Sequence, residues 1–105
     1  MEQLIQQIIT LSKARIESFL QKSDSRYEGS STYFRELRKE VDEALAENTE
    51  NNSVYLEDEL GDIFWDYIML LNALTSEGKI TSVENVFERC YQKFSERINK
   101  NGNNA

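Results

Sequence analysis

The sequence predicts an all-α fold, a bundle of four helices, and three observations carry that reading. Its 105 residues contain no proline and only four glycines, so little interrupts a helix. Apolar residues recur at helical spacing through four segments. Between those segments lie short stretches rich in Ser, Asn, Asp and Gly, the residues of loops. The length suits one domain with one core, running through 1–105 with residues 100–105 frayed.

Each element has its own justification. Residues 2–22 place Leu4, Ile5, Ile8, Ile9, Ile16, Phe19 and Leu20 on one stripe. SDSRYEGSS, residues 23–31, reads as a loop. A second helix from about Thr32 to Glu47 turns Phe34, Leu37, Val41, Ala44 and Leu45 inward. NTENNS breaks it, and Ser53 is placed to cap a third helix over about 54–76. A fourth, over about 82–100, opens with a capping box from Thr81 to Glu84. Its apolar face carries Val83, Val86, Phe87, Cys90, Tyr91, Phe94 and Ile98.

The third helix is apolar almost all the way round after Leu60, in the run IFWDYIMLLNAL. Ile63, Tyr67, Leu70, Leu71 and Leu74 suit the chain's own core, which leaves Trp65, Ile68 and Met69 on other sides. That surplus predicts an oligomer with the third helix at or near the subunit contact. The alternative is that the first helix folds over this surface within one chain.

The net charge of −7 is unevenly placed: residues 36–66 carry eleven acids against Arg38 and Lys39. A surface that negative repels nucleic acid and anionic membranes, and admits a polyphosphate only as a metal complex. With no histidine, Ser-His-Asp and Cys-His chemistry and imidazole metal sites are excluded. Cys90 alone makes neither an internal disulfide nor a thiolate cluster. The glycines form no phosphate-binding loop. The acidic start at Glu2 does not read as a signal peptide, and no apolar run is long enough to span a bilayer. A cytoplasmic protein is expected.

Within the acidic region two pairs stand out: Glu40 and Glu43 in KEVDEALAE, and Glu59 and Asp62 in EDELGDIFWD. Members three residues apart share one side of a helix. If the second and third helices run antiparallel in contact, four carboxylates meet, an oxygen-only set suited to Mg²⁺ or Mn²⁺. Acidic runs are ordinarily solvated faces, and acids at 57–59 favour a helix N-terminus. Neither account covers Asp62 and Asp66 in mid-helix, nor Gly61, which costs about 1 kcal/mol there. A glycine beside the acids suggests close backbone approach.

ExxE on one helix, then ELGD with an apolar continuation and a basic last helix, resembles the MazG-like all-α nucleoside triphosphate pyrophosphohydrolases, from about Tyr33 to Ile98. The resemblance implies a hydrolase of phosphoric anhydride bonds that converts (d)NTP to (d)NMP and pyrophosphate, with nucleotide-pool house-cleaning as a role. It implies dependence on Mg²⁺ and a homodimer or homotetramer completing the MazG-like bundle. By motif, Glu40, Glu43, Glu59 and Asp62 become the catalytic metal ligands, and Lys93 and Arg97 of YQKFSERI the phosphate-binding residues. Glu36 and Glu47 are candidates for a general base. Two positions depart from the family: Lys39 stands where many members carry a further Glu, and an upstream Trp-Asp-x-x-Gln type element is missing. The alternative function is a non-catalytic helical module that binds a nucleotide or a partner.

Overall fold

Helix α3 is the axis on which the other elements pack. In the computed structural model, which describes residues 1–101, the helices are α1 (Glu2–Lys22), α2 (Ser30–Ala46), α3 (Ser53–Ser76) and α4 (Val83–Asn101). No strand occurs among the described residues. Of the end expected to fray, residues 100 and 101 lie within α4, and 102–105 fall outside the described residues. α3 packs most extensively against α2, then α1, and least against α4. Glu59 lies by Glu40 and Glu43, while Asp66 lies by Glu36 and Glu40, so α2 and α3 run antiparallel.

The core has two adjoining parts. Ile16, Tyr33, Met69, Leu70 and Ala73 form one, with Phe19, Tyr27, Leu37, Trp65 and Leu74 against it. Ile9, Ile68, Leu71 and Val83 form the other. Ile68 and Met69, which the sequence left either at a subunit contact or under the first helix, are the most enclosed large side chains, at 0% and 1% exposure. The reason is α1, whose Ile9 and Ile16 cover that side of α3. Burying an Ile of this kind contributes about 1.5–3 kcal/mol. A polar contact sets α1 against α3: the buried Ser12 hydroxyl donates to Met69 Sδ at 3.0 Å and accepts from Asn72 Nδ2 at 2.9 Å. A buried hydroxyl without such partners would be costly, which fixes the register.

The helix ends differ by a residue or two from the sequence reading. Asn52, rather than Ser53, occupies the N-cap of α3, and its side chain turns back to donate to Glu47 O and Oε2. Ser82, rather than Thr81, caps α4, accepting from the Asn85 N–H at 3.0 Å. α2 is capped from across the molecule. Glu77, just past the end of α3, accepts from Ser30 N at 2.7 Å and from Ser30 Oγ at 2.8 Å. Gly29 precedes them with φ of 68°, and an added Cβ would run into the Glu77 carboxylate. Only glycine meets both demands.

α4 departs most from expectation. Val83 is buried and Val86 and Phe87 are half-buried, but the rest of the apolar face is open, with Tyr91 at 78% and Ile98 at 62% exposure. The helix therefore stands away from the bundle after its second turn. The Cα radius of gyration of 16.3 Å reflects this, against about 13 Å for a compact chain of similar length.

Candidate metal centre

The acidic stripes of α2 and α3 face each other, as the residue angles require once the two helices lie antiparallel. Carboxylate oxygens of Glu40, Glu43 and Glu59 all come within 4.8 Å of one another. Glu36, Glu40 and Asp66 form a second such group, so Glu40 belongs to both. Glu40 Oε2 and Glu59 Oε2 are buried and have no hydrogen-bond partner among the described residues. Two inward-facing oxygens without a donor are the inverse of what packing ordinarily tolerates.

The electrostatics follow from this crowding. Burial, then the Glu43 and Glu59 carboxyls, push Glu40 up to about 7. Burial and the charge of Glu43 raise Glu59 as well. Asp66 rises to about 6, from burial first and then from Glu36, Asp62 and Glu43. Like charges at such spacing cannot all ionise without a counter-charge. An oxygen-only donor set with raised proton affinities fits a hard divalent cation, which would replace the protons.

The sequence-derived residues divide. Glu40, Glu43 and Glu59 are brought together. Asp62 is exposed and outside both groups, although its charge raises Glu40, Glu59 and Asp66. Lys93 and Arg97 are exposed on the part of α4 that stands away, and the ring beside both is Phe94, at 5.8 and 5.4 Å. α4 makes no contact with α2, so one chain does not bring these bases to the acids. Glu47 is engaged by Asn52 at 2.6 Å, whereas Glu36 lies in the second acidic group. Asp66 was not among the expected ligands. Its signal is its place one turn beyond Asp62, between Trp65 and Tyr67, where a solvated acid has no business. Among the described residues Gly61 meets nothing within 4 Å of an added Cβ, so it permits no close approach there.

Antiparallel helices that present opposed carboxylates around a partly buried point define a class of all-α protein whose acidic groups could hold a hard divalent cation. Residues 28–101 match the MazG nucleotide pyrophosphohydrolase domain, and the chain belongs to that family. No curated protein and no solved structure matches the chain. No helix among the described residues is long and apolar enough to cross a membrane.

Proposed function

We propose that this MazG-family chain, as one domain over 1–105, is a divalent-cation-dependent hydrolase that converts nucleoside triphosphates to the monophosphate and pyrophosphate. The observation that carries the reading is the pair of buried, donorless oxygens on Glu40 and Glu59. Glu40, Glu43 and Glu59 would hold the cation, with Asp62 at the rim. When bound, Mg²⁺ (or Mn²⁺) supplies neutralisation of the triphosphate and a water of lowered pKa. Asp66, raised to about 6 and grouped with Glu36, is suited to take a proton near neutrality. The α2–α3 packing holds these carboxylates in one place, so the substrate phosphates are oriented rather than merely attracted.

Lys93 and Arg97 enter this reading through a second subunit. The open face of α4 carries Tyr91, Phe94 and Ile98 beside Arg89, Lys93 and Arg97. An apolar stripe with basic flanks complements the acidic α2–α3 face, so a homodimer or homotetramer would bring phosphate-binding bases to the carboxylates. A cytoplasmic role in clearing nucleotides goes with this reading.

The test is product analysis across a nucleotide panel with Mg²⁺ and with EDTA. Monophosphate and pyrophosphate, formed only with the cation, are expected; a diphosphate with orthophosphate overturns the reaction. Binding without turnover would favour the non-catalytic module. Light scattering should give at least twice 12.3 kDa, and a mass near 12.3 kDa removes the oligomer.

A further inference from the structure

Beside the acidic centre, between α1 and the start of α2, lies an open cavity of about 210 Å³ that the metal reading does not use. Arg15, Phe19, Arg26, Tyr27, Tyr33 and Glu36 line it. The first four precede the family-matched residues 28–101. Glu36 is shared: it forms a wall of the cavity and belongs with Glu40 and Asp66 in one of the two acidic groups. The two sites are therefore neighbours with a common side chain.

The lining is flat and aromatic. Phe19 and Tyr27 stack at 5.3 Å with planes 9° apart, and Tyr27 leans on Tyr33 at 6.2 Å. The Arg15 guanidinium lies 4.3 Å from the Phe19 ring centroid. The two arginines are differently placed. Arg26 is taken by Asp24, through Nε at 3.1 Å and Nη2 at 2.8 Å. Arg15 has no hydrogen bond or ion pair among the described residues, so its donors remain available. A planar guanidinium over an aromatic ring offers a base both a stacking face and hydrogen-bond donors. The volume is below the roughly 300–1,000 Å³ of sites that enclose a whole drug-sized ligand, and suits one ring system.

We propose that this cavity receives the nucleobase of the nucleotide whose phosphates lie across the Glu40 carboxylates, with Arg15 donating to a carbonyl on the base edge. This rests on the proposed function. Arg15 offers donors and no acceptor, so it favours keto bases, such as guanine or uracil, over adenine. Arg15 is the specificity residue, and Phe19 with Tyr27 forms the wall behind it.

The experiment uses the full chain in two arms. In the first, guanosine, adenosine and ribose are titrated without metal and followed by amide NMR, which needs neither turnover nor phosphate binding. Guanosine should shift resonances over residues 15–36 more strongly than adenosine, and ribose should shift none. Arg15→Met, which keeps a cover over Phe19 but removes the donors, should weaken guanosine binding about tenfold. In the second arm, the same variant should raise the KM for GTP about tenfold and leave kcat within twofold. Glu59→Gln should lose turnover yet keep the guanosine shifts. Absence of guanosine shifts, or wild-type guanosine affinity and KM in Arg15→Met, overturns the base site and leaves the hydrolase standing. Guanosine shifts in a protein that hydrolyses no nucleotide would do the reverse.

Discussion

The two halves of α3 solve opposite problems with one helix. From Asp66 to Ala73 every residue but Tyr67 is buried, closed in by α1, α2 and the start of α4. From Ser53 to Asp62, Glu57, Asp58, Asp62 and much of the apolar surface are open, Glu59 is half-buried, and α2 supplies the opposing acids of the candidate metal centre. The enclosed half provides the burial that holds the fold. The open half is then free to carry like charges that no isolated hairpin would hold together. The crowding of like charge here is held by stability gained one or two turns further along.

That division can be broken most visibly at Ile68. A carboxylate introduced there has no partner and lies in the core, so Ile68→Glu should unfold the chain and not merely separate subunits. Circular dichroism reads the result; retained helicity with a halved mass would place Ile68 at an interface instead. The converse change in the open half is Glu59→Gln. Turnover should fall at least about a hundredfold through loss of cation binding. The metal-free protein should melt at the same or a higher temperature, since one like charge is gone. A lower melting temperature would make Glu59 a structural acid.

The halves should also separate by pH. Glu40 and Asp66 hold protons more tightly folded than unfolded, so the folded state binds more protons between about 4.5 and 7 for Glu40, and between 3.8 and about 6 for Asp66. Stability in EDTA should therefore fall as pH rises through those windows. Asp24, held near 2 by its hydrogen bonds to Arg26, acts oppositely but loses its contribution only below its ordinary value of 3.8. Mg²⁺ should abolish the fall near neutrality; thermal melts at pH 5 and 7 with and without the cation decide it. The smallest effect is at Gly61. With nothing in its way, Gly61→Ala should add about 0.5–1 kcal/mol. A loss of stability would mean that another subunit approaches there.

Much of this was legible in the sequence, and the misreadings have physical causes. Helical spacing and the absence of proline located all four helices, because those signals are local. The facing acids of α2 and α3 were legible because three-residue spacing fixes their side of each helix. Which helix covers which face was not. Ile68 and Met69 seemed surplus only because nothing in the α3 sequence announces that α1 lies over them. The apolar stripe of α4 looked like an ordinary core face, yet only Val83, Val86 and Phe87 find cover. Capping moved from Thr81 to Ser82 because adjacent hydroxyls are equivalent in sequence. The cavity at Arg15 has no motif at all, since its walls come from a helix, a loop and the next helix.

The Glu77 contact with the first turn of α2 has a consequence for the acids far from it. At one end α2 and α3 are joined by the short connection at 47–52; at the other, Glu77 grips Ser30, 47 residues earlier. A hairpin tied at both ends cannot relieve repulsion between Glu40, Glu43 and Glu59 by splaying. The carboxylates are thus kept close whether or not a cation is present, and under the proposed function little reorganisation would be left for binding one.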